Sequence, residues 1–115
     1  MNWRDQRLIL DMLLEARRLR SFVEGKTRAD LTGDDLLRYA VLHAITLFGE
    51  AARGVSAEAK AASPGIPWND IIAMRNRLVH EYFHIRAQTV WSTASRDIPA
   101  LIPLLEQIAP PLEES

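Results

Sequence analysis

A short stretch in the second half of the chain holds the residue types that proton transfer and phosphate chemistry require. Residues 74–82 read Met-Arg-Asn-Arg-Leu-Val-His-Glu-Tyr. A histidine titrates near neutral pH and can move protons, while an arginine can donate several hydrogen bonds to the charge that develops on a reacting phosphate. Because the 2′-hydroxyl of RNA can itself be the nucleophile, such residues could cleave RNA without a metal. The candidate residues are Arg75, Asn76, His80 and Tyr82.

A helix through this stretch would point Arg75 toward apolar neighbours. At about 100° per residue, Arg75 falls within the arc formed by Trp68, Ile72 and Val79. A charge in such a place is costly unless it is paired and hydrogen-bonded, so the position requires a partner or a ligand. We expect the partner to be Glu50 of the preceding long helix, in a supporting role.

The other polar side chains would lie around Arg75. Asn76 and His80 are four residues apart and so lie one above the other on the flank of the same arc. Geometry alone leaves two interpretations open, a buried hydrogen-bonded network or a site for phosphoryl transfer. One arginine and one histidine make a small active site, and a two-fold dimer that joins two copies of this helix would double the set.

The first half of the chain is predicted to form two long helices. From Asn2, which can act as an N-cap, apolar residues recur at spacings of three and four to about Val23. Thr32 is followed three residues later by Asp35, which resembles a capping box and predicts the start of a second helix. An apolar stripe continues that helix to about Arg53.

The middle of the chain is predicted to hold a short helix, a loop and a third long helix. Ser56 can cap a short helix that ends near Ala62. Residues 63–67, Ser-Pro-Gly-Ile-Pro, form the clearest loop. A third long helix should then run from Trp68 to about Tyr82 and carry the polar cluster.

A fourth helix should begin near Gln88 or Thr89 and be kinked or broken. It carries Pro99 and Pro103 within its apolar pattern, and each proline removes a hydrogen bond from a helix. Residues 109–115 are predicted to be a frayed tail. The whole pattern predicts an all-α protein with one domain over residues 1–115: an antiparallel up-and-down bundle of four helices with a short extra helix, forming a homodimer.

Composition and charge exclude several classes of function. The chain has no cysteine and three scattered histidines, at 43, 80 and 84, so we expect neither a metal site nor a cofactor. No apolar run approaches the roughly 20 residues of a membrane span, and the N-terminus lacks the pattern of a signal peptide, which favours a cytoplasmic protein without membrane contact. The net charge of −1 argues against a wide nucleic-acid-binding surface, so any RNA contact should be local.

The string Arg-Asn-Arg-Leu-Val-His-Glu-Tyr resembles the Arg-x4-His-x-Tyr motif of the HepT-like branch of HEPN proteins, including the asparagine that commonly follows the arginine. Three flanking blocks resemble the same family, over residues 38–52, 66–76 and 90–108. An arginine and a histidine at this spacing occur often by chance. The complete motif together with flanking blocks that cover nearly the whole chain is far more specific.

The resemblance implies the toxin of a type VII-like toxin–antitoxin pair, a metal-independent ribonuclease that acts as a homodimer on RNA such as tRNA or mRNA. Arg75 and His80 would be its catalytic residues in the dimer cleft, and Asn76 would hold or orient the phosphate. The antitoxin would be a minimal nucleotidyltransferase that transfers AMP from ATP to Tyr82. The added charge and bulk beside the cleft would then stop cleavage.

Two other interpretations remain open. The chain could be a catalytically weak module whose cluster binds a nucleotide or docks a nucleotidyltransferase. The cluster could also be purely structural, in which case replacing Arg75 or His80 by alanine would unfold the protein rather than inactivate it. A neighbouring gene for a minimal nucleotidyltransferase would favour a toxin–antitoxin pair, and RNA cleavage would distinguish an enzyme from a module.

Overall fold

The computed structural model describes residues 1–82 and 84–111, and every regular element in them is helical. The expected all-α class is therefore confirmed for this part of the chain. Residues 112–115 of the predicted tail lie outside the described residues. The helices in the first two thirds of the chain are α1 (Trp3–Val23), α2 (Arg28–Gly33), α3 (Asp35–Gly54), α4 (Ala57–Ala62) and α5 (Trp68–His80). They are followed by α6 (Ala87–Ser92), a π-helical turn (Thr93–Asp97), a 3-10 turn (Pro99–Leu101) and α7 (Ile102–Ile108).

Helix α3 lies at the centre of the packing. It packs against α1 on one side and α5 on the other, while α7 and the π-helical turn pack against α1. The largest fully buried side chains include Ile9 and Met12 of α1, Phe48 of α3, Leu78 of α5 and Leu105 of α7. The antiparallel bundle of four helices and the homodimer remain predictions. None of the helices in residues 1–82 and 84–111 is long and apolar enough to cross a bilayer.

The capping box lies five residues before its predicted position. Thr27 Oγ1 accepts a hydrogen bond from the amide of Asp30 at 3.2 Å, and an Asp30 carboxylate oxygen accepts one from the Thr27 amide at 2.8 Å. Thr32 lies inside α2, and α3 is capped by Asp34 instead. The prediction was wrong because both threonines have an aspartate three residues later, so the local pattern cannot distinguish them. The burial of Leu31 in the core favours the additional helix.

The prolines interrupt the C-terminal helix as predicted. Pro99 begins the 3-10 turn, and Pro103 lies in the first turn of α7. In the first turn of a helix the amide has no hydrogen-bond partner within the helix, so a proline is tolerated there. The preceding turn is π-helical, since the amide of Ile98 bonds to the carbonyl of Thr93 at 3.0 Å. The fourth predicted helix is therefore a series of short pieces.

A buried carboxylate joins the start of α1 to the start of α4. Asp5 is 3% exposed and accepts hydrogen bonds from the hydroxyl of Ser56 at 2.6 Å and from its amide at 2.9 Å. The Ser56 hydroxyl also accepts a bond from the amide of Ala59, and so caps α4 as predicted. The two hydrogen bonds from Ser56 hold the pKa of the Asp5 carboxyl below its ordinary value.

We expect Asp5→Asn to destabilise the protein at neutral pH and to matter progressively less in acid. A carboxyl whose pKa is lowered by folding stabilises the folded state above its unfolded pKa, and this contribution is lost as the pH falls through about 4 toward the lowered value. Urea denaturation at several pH values between 7 and 3 measures the difference in unfolding free energy from the wild type. Asp11→Asn, which changes an exposed carboxyl on the same helix, is the matched control. A difference that stays constant across this pH range would contradict the prediction.

Candidate functional site

Helix α5 carries the polar cluster, but its buried side differs from the predicted arc. Trp68, Ile71 and Leu78 are buried, whereas Val79 is 48% exposed. The buried side is thus rotated toward Ile71 and Leu78, because the packing against α3 determines which residues of α5 are covered. Arg75 lies near the edge of the covered side, with its side chain 15% exposed.

The guanidinium of Arg75 is paired with the residue expected from the sequence. Its Nε donates to Oε2 of Glu50 at 2.7 Å, and its Nη1 donates to Oδ1 of Asn76 at 3.0 Å. The Glu50 side chain is half exposed, so the pair lies at the surface end of the α3–α5 contact rather than in the core. A guanidinium has five N–H donors. Glu50 therefore orients Arg75 while leaving donors for a phosphate.

Gly49 allows α5 to approach α3 at this point. A Cβ atom on Gly49 would lie 2.3 Å from Cβ of Arg75 and 2.9 Å from its Cγ, and 3.3 Å from the carbonyl oxygen of Ile71. Only a residue without a side chain fits between the two backbones. The sequence prediction did not single out Gly49. Its signal was a glycine inside an otherwise strong helix, where glycine is normally unfavourable.

Helix α5 ends at His80, two residues earlier than predicted, so Tyr82 lies in the following turn. The amide of Glu81 bonds to the carbonyl of Arg77 at 2.7 Å and closes the helix. Asn76 and His80 are both exposed and lie one helical turn apart. The side chains of Arg77 and Glu81, four residues apart on the helix, pair at 3.5 Å. The imidazole of His80 is thus accessible to a substrate.

Tyr82 packs against an aromatic neighbour from α3. Its ring stacks on that of Tyr39, with centroids 6.0 Å apart and an angle of 30° between the planes. Burial raises the pKa of Tyr82 above its ordinary value, Tyr39 adds to this effect, and the nearby Arg38 opposes it. A tyrosine is already protonated at neutral pH, and burial favours that form of Tyr82 further.

Exposed apolar side chains lie along one face of α3 and on α5. Four large apolar side chains there are exposed: Leu36, Tyr39, Leu47 and Val79. The exposed His43 lies on the same stripe of α3, since residues spaced by three and four share one face of a helix. Exposed apolar surface of this kind is typical of an interaction site.

The two histidines outside the motif do not join Arg75 in a hydrogen-bonded cluster. His43 is exposed rather than part of the core, and His84 follows Tyr82 in the turn, where its amide bonds to the carbonyl of Glu81 at 2.8 Å. Within residues 1–82 and 84–111, no group of three or more His, Asp or Glu side chains is placed to hold a metal ion.

Comparison with known proteins connects this site to a family. The family model described as ribonuclease HepT-like matches residues 12–108. A Methanocaldococcus jannaschii protein named as a candidate RNase is 29% identical over 102 residues, which are 88% of this chain and 94% of that protein. A Thermococcus cleftensis protein named as a probable ribonuclease HepT is 35% identical over 72 residues, which are 63% of this chain and 66% of that protein.

A third relative matches a similar share of the chain. A Caldanaerobacter subterraneus protein, also named as a candidate RNase, is 30% identical over 97 residues, which are 84% of this chain and 87% of that protein. No solved structure matches the chain. The matched residues include Arg75, Asn76, His80 and Tyr82, and also Glu50. The chain therefore belongs to the HepT-like ribonuclease family of HEPN proteins.

Proposed function

We propose that this chain is the toxin of a toxin–antitoxin pair, a metal-independent ribonuclease whose catalytic residues are Arg75 and His80, with Asn76 holding the phosphate. The proposal rests on the position and the hydrogen bonds of Arg75. Its guanidinium is oriented by Glu50 at the surface end of the helix contact and retains donors for an anion. An exposed histidine follows on the same helix.

The spacing of these two residues supports a site shared by two copies of the chain. Arg75 and His80 are five residues apart, so their side chains leave the helix axis in directions that differ by about 140°. One copy alone does not direct both groups at a single phosphate. A two-fold axis beside α5 would bring the arginine of one copy toward the histidine of the other. The exposed apolar surface on α3 and α5 supports burial at such an interface.

In the proposed reaction, the RNA supplies its own nucleophile. The neutral imidazole of His80 takes the proton of a 2′-hydroxyl, whose oxygen attacks the adjacent phosphorus. Arg75 stabilises the negative charge on the non-bridging oxygens. The bond to the 5′-oxygen breaks, and the imidazolium of the second copy protonates that oxygen. The products are a 2′,3′-cyclic phosphate and a 5′-hydroxyl.

The proposed control is the transfer of AMP to Tyr82 by a minimal nucleotidyltransferase. The tyrosine oxygen attacks the α-phosphorus of ATP, pyrophosphate leaves, and the phenolic proton passes to a base. A tyrosine phenol is protonated at neutral pH, and burial of Tyr82 favours that form further, so we expect the transferase to supply the base. The negative charge attached beside α5 would repel RNA phosphates from Arg75 and His80.

The experiment that tests the proposal is RNA cleavage by the purified, unmodified protein in excess EDTA. We expect single-stranded RNA to be cut without added metal and the upstream fragments to end in a 2′,3′-cyclic phosphate. Mass spectrometry of the fragments identifies these ends. A folded, unmodified protein that leaves RNA intact, or that cuts only with a divalent ion, would refute the proposed chemistry. The first of these outcomes would favour the catalytically weak binding module.

We expect Tyr82→Phe to cleave RNA at the wild-type rate and to escape inactivation by the nucleotidyltransferase, because only the acceptor oxygen is removed. Each protein is incubated with ATP and the transferase, its mass gain in whole AMP units is measured, and its remaining cleavage rate is determined. Tyr39→Phe is the matched control, since it removes the hydroxyl of the stacked neighbour and leaves the acceptor in place. Inactivation of Tyr82→Phe together with a mass gain would show that another residue accepts AMP.

A further inference from the structure

A pocket of about 190 Å³ lies beside Tyr82, between α2, α3, the turn after α5 and α6. Most of its walls are apolar, and the side chains that form them include Leu31, Leu42, Ile85 and Val90. Sites for drug-sized ligands usually occupy roughly 300 Å³ or more, so this pocket suits a single ring system. Three residues in its lining carry polar groups, namely Thr32, Arg38 and Tyr82 itself.

Arg38 is the cation in the lining of the same pocket as Tyr82. Its guanidinium carbon lies 5.9 Å from the centroid of the Tyr39 ring, which in turn stacks on Tyr82. The charge of Arg38 already acts on the Tyr82 hydroxyl, in the direction that favours negative charge there. Arg38 and Tyr82 are therefore electrostatically coupled before any modification.

Arg38 forms an exposed ion pair with Asp35, which another anion could replace. Its Nη2 donates to a carboxylate oxygen of Asp35 at 3.0 Å, one turn away on the same helix. The Asp35 side chain is 79% exposed, and exposed ion pairs of this kind contribute little to stability. The guanidinium can therefore turn to a new anion without a large energetic cost.

We propose that this pocket receives the nucleotide attached to Tyr82, with the base packed against the apolar walls and Arg38 paired with the phosphate. The proposal rests on the AMP transfer described under the proposed function. A tyrosyl phosphodiester carries one negative charge, and arginine binds phosphate oxygens through short charge-assisted hydrogen bonds. The AMP group is then held against α3 as part of the protein surface, and its phosphodiester is shielded from hydrolysis.

A second arginine provides a matched control. Arg28 lies on α2 and lines the adjacent surface depression rather than the pocket beside Tyr82. Its Nη1 donates to the side chain of Gln88 at 2.7 Å. Replacing Arg28 by glutamine removes the same charge from the same region, whereas replacing Arg38 also removes the proposed phosphate partner.

The experiment compares the release of AMP from modified wild-type, Arg38→Gln and Arg28→Gln proteins by an added phosphodiesterase. Intact mass and fragment mapping first establish that Tyr82 carries AMP, and circular dichroism establishes that the variants are folded. We expect AMP to leave the Arg38→Gln protein about tenfold faster than the wild type, the effect of one lost charge-assisted hydrogen bond. The Arg28→Gln protein should release AMP at the wild-type rate.

Other outcomes would overturn the inference in distinguishable ways. Equal release from the wild type and Arg38→Gln, with Tyr82 modified in both, would refute the pocket while leaving the proposed regulation intact. Equally fast release from both arginine variants would show a general effect of surface charge and would also refute the pocket. A wild-type protein that takes up no AMP on Tyr82 would refute the proposed regulation, and the inference with it.

Discussion

His80→Ala should leave the protein folded and able to form the proposed dimer while lowering the rate of RNA cleavage by about 10²- to 10⁴-fold, the usual contribution of a general acid or base. His80 is exposed at the last position of α5, so removing its imidazole creates no cavity in the core. The cleavage rate is measured together with circular dichroism and sedimentation. These two measurements separate the loss of a catalytic group from the loss of structure.

The matched control for this variant is His84→Ala. His84 is also exposed and lies four residues after His80, but it is outside the motif. We expect its removal to leave the cleavage rate near that of the wild type. Loss of helicity or of dimerisation in His80→Ala would support the purely structural interpretation of the cluster. Equal losses of activity in both variants would point to general electrostatics rather than to a general base.

Gly49→Ala should destabilise the protein and inactivate it together. In the interior of a helix, alanine is normally more favourable than glycine by up to about 1 kcal/mol. Here the added Cβ would lie 2.3 Å from Cβ of Arg75, so α5 must move away from α3. Overpacking of this kind costs about 1–3 kcal/mol. The same movement would separate Arg75 from Glu50 and disturb the orientation of the guanidinium, so we expect cleavage to fall with stability.

Urea denaturation and the cleavage rate test this prediction, and the sign of the stability change decides it. Gly33→Ala is the control. A Cβ atom placed on Gly33 would have no atom within 4 Å beyond the adjoining residues and the backbone of its own helix. We expect Gly33→Ala to retain wild-type cleavage. A Gly49→Ala protein that is more stable than the wild type would show that helix propensity outweighs the steric conflict and that the close approach at Arg75 is dispensable.

The local features of the fold could be predicted from the sequence because they depend on neighbouring residues. The helix that starts after Asn2, the short helix capped by Ser56 and the interruption at Pro99 and Pro103 are all present. Each of these features has a local cause: a periodic apolar pattern forms a helix, a capping side chain starts it, and a proline without an amide hydrogen interrupts it. The pairing of Arg75 with Glu50 was also expected, since a charge on a mostly apolar side of a helix requires a partner.

The sequence alone predicted the all-α class and the long helices α1, α3 and α5, and its Arg-x4-His-x-Tyr motif indicated the family. The tertiary structure decided which side of α5 is buried, why residue 49 is glycine, and that Tyr82 stacks on Tyr39 beside a pocket lined by Arg38. The physical reason is the distance along the chain between the contacting residues. A periodic pattern shows that a helix has an apolar side. Only the packing of α3 against α5 determines how closely the two backbones approach at Gly49 and which residues of α3 lie beside Tyr82.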